Sequence, residues 1–374
     1  MIRDPHAERW MTRALIHAWT VGRHGARPNP MVGCVLARGD ELLAAGAHRT
    51  WGEAHAERAC LDAFEGPVPD DATLYVTLEP CAHQGRQPPC TELIIKRGIR
   101  RVVIGCSDPN PETSGIGPRM LQEAGIDVAW LQGPVASRAL ELNRGFQRLH
   151  RQGRPDVFVK FAMTRNGRFA TGNPERRWIS SPAARAEVQQ LRAAASAILV
   201  GVGTILADDP QLTVRDVALA PHAEPWRVIC DRRLRTPEGS RVFDEADRVP
   251  VLICTQPDSS VRQRRALERQ GARVEVLAGG DAFLTQVMEL LARERLQDVL
   301  VESGPQLVHA LYQSDLIDRV RCYQAPVDAP DELPGLSLAH PLMSRLEHVR
   351  DIGGDAVLEV DIHPIHSGVT DLRM

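Results

Sequence analysis

The sequence is poor in aromatic residues, nearly balanced in charge and free of long apolar runs. Aromatic residues make up 4% of the 374 residues, and the formal net charge is −3. Proteins that hold single-stranded nucleic acid present a basic face with interleaved aromatic side chains, so this composition argues against a nucleic-acid-editing enzyme. No apolar stretch approaches the roughly 18 residues of a membrane span, and the first ten residues lack the apolar core of a secretory signal. We therefore expect a cytoplasmic protein that binds neither nucleic acid nor membrane.

Length and cysteine content constrain the architecture further. At roughly 100–200 residues per domain, a chain of 374 residues predicts two domains. Eight cysteines could form disulfides, but buried thiols and metal ligands are expected in a cytosolic-looking chain of this length. Four stand in apolar, strand-like runs, where cysteine behaves as a small hydrophobic residue; these are Cys34, Cys106, Cys230 and Cys254. Cys81 and Cys90 lie in a polar stretch and need a separate explanation.

Strand-like and helix-like segments alternate in both halves of the chain. In the first half we expect strands at 31–37, 73–78, 101–106 and 126–130, and helices at 54–64, 90–97 and 117–124. The polar segment 150–155 contains Gly and Pro and predicts a linker. After it we expect strands at 157–163, 197–202, 226–230, 250–254, 273–277, 298–302, 319–323 and 356–361, and a helix at 182–196. The pattern predicts two α/β domains, at 1–148 and 155–374, each with helices packed on a sheet that contains parallel strands.

One group of residues in the first half has the composition of a catalytic zinc site. His55, Cys81 and Cys90 supply the three imidazole and thiolate ligands that leave a fourth position for water. The metal would lower the pKa of that water, and Glu57 would take its proton and pass it to a leaving nitrogen. Zinc deaminases carry H-x-E followed by P-C-x-x-C. This chain has those elements, but eight residues separate its two cysteines.

Two alternatives remain open at this stage. His55 could be a surface residue with both cysteines purely structural. A structural zinc, which takes four protein ligands, is the other possibility, and His83 could then complete the set.

The segments around these residues resemble the deaminase domain of the bifunctional riboflavin-biosynthesis deaminase/reductases. The matching text is PNPMVGCV (28–35), GEAHAE (52–57), TLYVTLEPCAHQGRQPPC (73–90) and SDPNP (107–111). The resemblance implies a cytidine-deaminase-like α/β/α sandwich that acts on 2,5-diamino-6-ribosylamino-4(3H)-pyrimidinone 5′-phosphate. It also implies that Asn29 and His48 hold the base, although Asn29 before Pro30 could equally be a turn residue. Gln87 and the loop 112–117 depart from the family pattern.

The second half offers no metal-ligand cluster in its sequence, and its individual signals are weak. Gly201-x-Gly203 lacks the third glycine of a dinucleotide fingerprint. Arg192 and Arg215 could bind a phosphate through two hydrogen bonds each, but each alone is more simply a solvated charge.

Taken in order, segments across about 155–325 resemble the reductase domain of the same family. The resemblance implies a dihydrofolate-reductase-like α/β fold and NADPH as the hydride donor. It implies that the cofactor contacts Ala162, Trp178, Thr204, Asp208 and the stretch after Gly304, and that the substrate contacts Arg192, Leu212, Arg215 and Glu302. Relatives commonly associate through this domain, so we expect a homo-oligomer.

This half departs from the family pattern at several positions. The changes are Asn166 for an acid, Arg176 for a small hydroxyl residue, Arg232 for Ser, Ser303 for Gly or Ala, and the loss of a Gly-containing loop after Pro326. The leading hypothesis is a bifunctional enzyme. The alternative is a deaminase whose second domain has lost hydride transfer and serves assembly. A zinc-binding scaffold without activity is a further alternative, in which Glu57 would have no role.

Overall fold

The computed structural model describes residues 4–365, apart from 24, 86, 112, 174, 176, 177, 221 and 222. The described residues form two compact units. The N-terminal unit comprises 4–153 with Ile365, and the C-terminal unit comprises 154–364. Across these described residues, we find no helix that is both long and apolar enough to span a membrane.

The N-terminal unit is a five-stranded sheet in the order β2-β1-β3-β4-β5. Its strands are β1 (Gly33–Arg38), β2 (Glu41–Ala47), β3 (Thr73–Val76), β4 (Arg101–Ile104) and β5 (Asp127–Trp130). β1 pairs antiparallel with β2 and β3, whereas β3, β4 and β5 run parallel. Its helices are α1 (Ala7–Gly22), α2 (Ala56–Asp62), α3 (Cys90–Lys96), α4 (Ile116–Glu123), α5 (Pro134–Leu142) and α6 (Arg144–Gln152).

Alternation along β1 divides the core of this unit into two layers. Cys34 and Leu36 enter the core beneath α2, α3 and α4, and Val35 and Ala37 enter the core beneath α1, α5 and α6. The result is the α/β/α sandwich that the sequence predicts. Since α6 continues to Gln152, the junction between the units lies at 153–154 and not across the whole of 150–155.

The C-terminal unit is a nine-stranded sheet in the order β10-β9-β8-β7-β11-β6-β12-β14-β13. Its strands are β6 (Asp156–Thr164), β7 (Ala197–Gly201), β8 (Trp226–Cys230), β9 (Val251–Thr255), β10 (Ala272–Val276), β11 (Asp298–Val301), β12 (Arg319–Ala325), β13 (Glu347–Ile352) and β14 (Asp355–Asp361). The strands from β10 to β12 in this order are parallel, and β14 and β13 add an antiparallel edge. Its helices are α7 (Pro182–Ala194), α8 (Val202–Asp208), α9 (Val261–Arg269), α10 (Phe283–Arg293) and α11 (Pro305–Gln313).

Helix α7 begins as its sequence predicts. Pro182 occupies the first turn, and the Ser181 side chain accepts a hydrogen bond from the Ala184 N–H at 3.2 Å. Because the central strands are parallel, residues that follow β7 and β11 emerge at the same edge of the sheet. That edge positions four of the residues that the sequence assigns to the second site.

Candidate active sites

The first site is built around the start of α2. His55 is the extended residue directly before the helix, with φ −67° and ψ 161°, and Glu57 lies in the first turn with 4% of its surface exposed. Helix α2 lies directly against β2 at Gly46, where a Cβ atom would come within 2.2 Å of the Cys60 nitrogen. Glycine at this position therefore sets the depth at which His55 and Glu57 enter the unit.

The two cysteine ligands predicted from the sequence come from the segment between β3 and α3. Cys81 follows β3, and Cys90 is the first residue of α3. The Cys90 N–H points at the Cys81 sulfur, 3.4 Å away, and the Thr91 N–H donates to the Cys81 carbonyl at 3.2 Å. These contacts close the base of the long segment, so the eight intervening residues do not separate the two thiols.

The three predicted ligands converge. The His55 Nδ1 atom lies 3.4 Å from the Cys81 sulfur and 3.5 Å from the Cys90 sulfur. At zinc–nitrogen and zinc–sulfur bond lengths of about 2.0 and 2.3 Å, tetrahedral ligand atoms stand about 3.6 Å apart, so this set fits zinc. Among the described residues, His55, Cys81 and Cys90 are the one group of three or more His, Cys, Asp or Glu side chains whose ligand atoms all lie within 4.8 Å of one another. His83 is exposed and lies outside this group, which disfavours a structural four-ligand site.

The electrostatics of the cluster favour proton transfer. Hydrogen bonds from Cys90 and His55 outweigh burial and lower the pKa of Cys81 to about 4, which makes it a thiolate. Burial, reinforced by the nearby Cys81, raises the pKa of Glu57 to about 7. A carboxyl group with a pKa near neutrality both accepts and returns a proton readily.

Asn29 and His48 form a hydrogen-bonded pair beside this cluster. The Asn29 Nδ2 atom lies 3.2 Å from His48 Nε2, and His48 Nδ1 lies 3.0 Å from the Ala54 carbonyl oxygen. Burial lowers the pKa of His48, so its ring is neutral. A neutral ring that donates from Nδ1 to the Ala54 carbonyl accepts a hydrogen bond at Nε2. The Asn29 NH2 group supplies that hydrogen bond, so the Asn29 oxygen points away from His48. The His48 ring also packs edge-on against His55, with 5.6 Å between ring centres.

Glu79 is a functional candidate that the sequence reasoning missed. Its buried carboxylate accepts hydrogen bonds from the backbone N–H groups of Asp108 at 3.2 Å and Gly115 at 2.6 Å. It thereby anchors the loop that follows β4 next to the cysteine segment. An acidic residue at the end of an apolar strand, two positions before Cys81, was the available signal.

The second site lies at the carboxyl edge of β6, β7 and β11. Ala162 is near the end of β6, Thr204 is in the first turn of α8 after β7, and Glu302 follows β11. Gly304 precedes α11, and a Cβ atom at this position would meet nothing within 4 Å. The structure therefore brings four of the predicted residues to one edge of the sheet.

A buried charge cluster forms the centre of this site. Arg192 Nε lies 2.6 Å from one Glu302 oxygen, and Arg192 Nη2 lies 3.1 Å from the other. Lys160, which the sequence-based assignment omitted, lies 3.7 Å from the same carboxylate. Burial by itself would raise the pKa of Glu302, but Arg192 and Lys160 outweigh it and hold the pKa at about 2. Arg192 is thus an ion-pair partner in a buried cluster and not a solvated charge.

The other predicted residues lie on several different segments of the C-terminal unit. Arg192 Nη1 donates to the Thr213 carbonyl at 2.9 Å, next to the buried Leu212, and the Arg215 N–H donates to Gln189 at 2.9 Å. Asp208 lies one helical turn after Thr204 on α8. Trp178 is 52% exposed, and the Arg185 guanidinium stands 5.3 Å from its ring centre.

Asn166, which replaces the acid typical of the family, forms hydrogen bonds with the loop after Pro326, which also differs from the family pattern. The Asn166 Nδ2 atom donates to the Ala329 carbonyl at 2.7 Å, and its oxygen accepts from the Ala329 N–H at 3.1 Å. Arg165 pairs with Asp328, and Arg168 pairs with Asp331 at 2.8 Å. An amide supplies both a donor and an acceptor here, so the two altered segments complement each other.

The remaining departures are also accommodated where the structure describes them. The Ser303 hydroxyl accepts from the Gly201 N–H at 3.1 Å and joins the ends of β11 and β7. The Arg232 guanidinium stands 4.8 Å from the centre of the Phe283 ring. Arg176 lies outside the described residues.

Comparisons with known proteins agree with both units. Residues 5–106 match the cytidine and deoxycytidylate deaminase zinc-binding region, and residues 155–355 match the RibD C-terminal domain. The riboflavin biosynthesis protein RibD of Escherichia coli (strain K12) is 37% identical over 375 residues, covering 94% of this chain and 98% of that protein. RibD of Actinobacillus pleuropneumoniae is 37% identical over 361 residues, covering 94% of this chain and 88% of that protein.

Solved structures show the same correspondence along the chain. Acinetobacter baumannii RibD, form 1, has a TM-score of 0.83 at 33% identity, covering 96% of this chain and 99% of its own. A diaminohydroxyphosphoribosylaminopyrimidine deaminase/5-amino-6-(5-phosphoribosylamino)uracil reductase from Thermotoga maritima has a TM-score of 0.81 at 30% identity, with the same coverage. With both regions matched and nearly the whole length covered, this chain belongs to the RibD family of bifunctional zinc-dependent deaminases and reductases of riboflavin biosynthesis.

Proposed function

We propose that the N-terminal unit hydrolytically deaminates 2,5-diamino-6-ribosylamino-4(3H)-pyrimidinone 5′-phosphate, and that the C-terminal unit reduces the ribosyl side chain of the product to ribityl with NADPH. The observation that carries this proposal is the three-ligand group His55, Cys81 and Cys90 with the buried, non-ligand Glu57 beside it. Three ligands with an adjacent acid are the arrangement of a catalytic zinc site and not of a structural one. The Thermotoga maritima relative is named as both a deaminase and a reductase.

In the first step, water supplies oxygen to a ring carbon of the substrate and the amino group leaves as ammonia. His55, Cys81 and Cys90 would hold zinc, which would lower the pKa of a water in the open position and so supply a nucleophile near neutral pH. Glu57 takes the proton from the water and delivers it to the departing nitrogen, for which its pKa of about 7 suits it. The Cys90 N–H that points at the Cys81 sulfur stabilises that thiolate.

Asn29 and His48 hold the pyrimidine in this step. His48 takes one N–H of the Asn29 amide, which leaves the Asn29 oxygen and the second N–H to pair with a ring edge that carries a donor and an acceptor. A pyrimidinone ring offers such an edge. A site that hydrogen-bonds both groups discriminates strongly against rings that lack one of them.

In the second step, the bond between the ring oxygen and the sugar carbon attached to the amino nitrogen breaks, and that oxygen takes a proton. A bound NADPH would supply the hydride that the carbon gains. Glu302 fixes the Arg192 guanidinium, and Lys160 adds a second positive charge to the same cluster. Together with Arg215, these cations suit a phosphorylated substrate. Ala162, Trp178, Thr204, Asp208 and Gly304 would contact the cofactor.

Separate assays of the two half-reactions on protein of known zinc content test this proposal. We expect ammonia release from the diamino substrate, and NADPH consumption at 340 nm when the deaminated intermediate is supplied. Ammonia release without NADPH consumption would instead identify a deaminase with an inactive second unit. Absence of ammonia release from zinc-loaded protein would contradict the first step.

We also propose that the chain works in the cytoplasm as a dimer or larger assembly. All eight cysteines are free thiols, as the reducing cytoplasm favours. Strand β13 forms an edge of the nine-stranded sheet, and Val349 on it is 54% exposed. An exposed edge strand is a natural place for a second chain to pair. Light scattering coupled to gel filtration measures the assembly directly.

A further inference from the structure

Asn143, at the junction of α5 and α6, forms two hydrogen bonds with the backbone of Met31, which lies 112 positions earlier. Its Oδ1 accepts from the Met31 N–H at 2.7 Å, and its Nδ2 donates to the Met31 carbonyl at 2.8 Å. Only 6% of Asn143 is exposed. A carboxamide has the same donor and acceptor as a peptide group, so Asn143 does for Met31 what a neighbouring strand does for a strand residue.

Met31 needs such a partner because it lies just before β1 begins at Gly33. The ladder of β1 with β2 runs from Gly33 to Arg38 and that with β3 from Cys34 to Ala37, so neither reaches Met31. Two residues before Met31 stands Asn29, whose amide pairs with His48. Three contacts therefore set the position of Asn29: its own N–H donates to the Ala26 carbonyl at 3.0 Å, its side chain pairs with His48, and Asn143 holds the backbone two residues later.

We propose that Asn143 is a positioning residue of the deaminase, which acts on substrate binding through Asn29 without touching the substrate. This inference rests on the proposed role of Asn29 in holding the pyrimidine. Hydrogen bonds join Asn143 to Met31, Asn29 to His48, and His48 to Ala54, the residue before the ligand His55, and the backbone through Pro30 joins Met31 to Asn29. Loss of the two hydrogen bonds from Asn143 to Met31 displaces Asn29 but leaves the contacts among His55, Cys81 and Cys90 in place.

The substitution Asn143→Asp retains the acceptor for the Met31 N–H, removes the donor to the Met31 carbonyl and sets a charged oxygen against it. We expect KM for the diamino substrate to rise about tenfold, which corresponds to about 1.4 kcal/mol. We expect kcat to change less than threefold, zinc to stay at one per chain, and NADPH consumption with the deaminated intermediate to be unchanged. Tyr75→Phe is the matched control, because it removes a hydrogen bond to Asp4 in the same unit.

A double-mutant cycle with Asn29→Ala separates positioning from a general loss of stability. If Asn143 acts through Asn29, Asn143→Asp changes KM less than twofold once Asn29 is already alanine. Equal increases in both backgrounds, a similar increase in Tyr75→Phe, or loss of zinc would overturn the inference. The wild-type deaminase rate decides the proposed function separately.

Amide hydrogen exchange gives a second measurement that does not depend on activity. In Asn143→Ala, which removes both hydrogen bonds, we expect the amide of Met31 to exchange at least tenfold faster than in the wild type. Exchange in the α2 segment should stay unchanged. An unaltered Met31 exchange rate would show that Asn143 does not hold this segment, whatever the kinetics.

Discussion

The two sites of this chain are held together in different ways. In the N-terminal unit, the functional groups stand at the starts of α2 and α3, and backbone hydrogen bonds fix their spacing. In the C-terminal unit, the central groups Arg192 and Glu302 are 110 positions apart and meet through charged side chains. The first site therefore depends on where the main chain places the ligands His55, Cys81 and Cys90. The second site depends on the balance of buried charges around Glu302.

Metal removal should produce the largest difference between the two sites. A chelator that strips zinc should reduce ammonia release to background, because the chemistry of the first step needs the metal. NADPH consumption with the deaminated intermediate should persist, since the potential metal ligands that gather in the described part of the chain are His55, Cys81 and Cys90, which belong to the other unit. Readdition of zinc should restore deamination. Equal loss of both activities would show that the two units do not function independently.

Glu57→Gln should remove proton transfer while leaving the metal bound. We expect deamination to fall by about 10²–10⁴-fold, the usual contribution of a positioned acid–base group, with zinc content unchanged. Glu53→Gln, which alters an exposed carboxylate on the same segment, is the control. A deamination rate of Glu57→Gln within tenfold of the wild-type rate would show that Glu57 has no catalytic role.

Glu302→Gln should damage the second unit through charge imbalance. The variant leaves Arg192 and Lys160 buried without their counter-charge, which costs about 3–5 kcal/mol for a buried pair. We expect a lower melting temperature for the C-terminal unit and loss of NADPH consumption, with deamination retained. Glu224→Gln, which breaks a pair with the exposed Arg248, should have little effect.

The stabilisation from Glu302 should also depend on pH in a defined direction. Its folded-state pKa of about 2 lies below the ordinary value of 4.5. The ionised group therefore stabilises the fold fully above pH 4.5, and this contribution is lost as the pH falls from 4.5 towards 2. The difference in melting temperature between wild type and Glu302→Gln should be constant above pH 5 and shrink below pH 4.5. A constant difference down to pH 3 would contradict this assignment.

Asn166→Asp should have the smallest effect. The change restores the acid typical of the family but removes the donor to the Ala329 carbonyl and to the exposed Asp331 carboxylate. A typical hydrogen bond contributes about 1 kcal/mol and an exposed charged contact contributes about 1 kcal/mol or less, so the melting temperature of the C-terminal unit should fall by only a few degrees. An increase in melting temperature would show that the two altered segments are not matched to each other.

The sequence predicted the buried strands and the zinc ligands well, for a common reason. β8 runs over Trp226–Cys230 as expected, β7 and β11 each end one residue earlier than predicted, and β6 is one residue longer at each end. Strands buried on both faces are continuous apolar runs, and zinc ligands are rare residue types at short spacings. Both signals are local.

The rest depended on information that is not local. β2 is rich in alanine and glycine, and β13 (EHVRDI) is mostly charged and exposed, so neither has a strand-like pattern. Only the folded sheet brings Lys160 to Glu302 or Asn143 to Met31. Likewise, Arg192 alone looked like a solvated charge because its partner lies on a distant element.

The hydrogen bonds that close the segment from Cys81 to Cys90 determine where the chain tolerates insertions. Since Cys90 and Thr91 fix both ends on Cys81, residues can be inserted or removed between them at a small entropic cost. Between His55 and Glu57, by contrast, one inserted residue would rotate the carboxylate about 100° around the helix axis. The length of the Cys81–Cys90 segment can therefore change with the ligand set kept, whereas the His55–Glu57 spacing must stay constant.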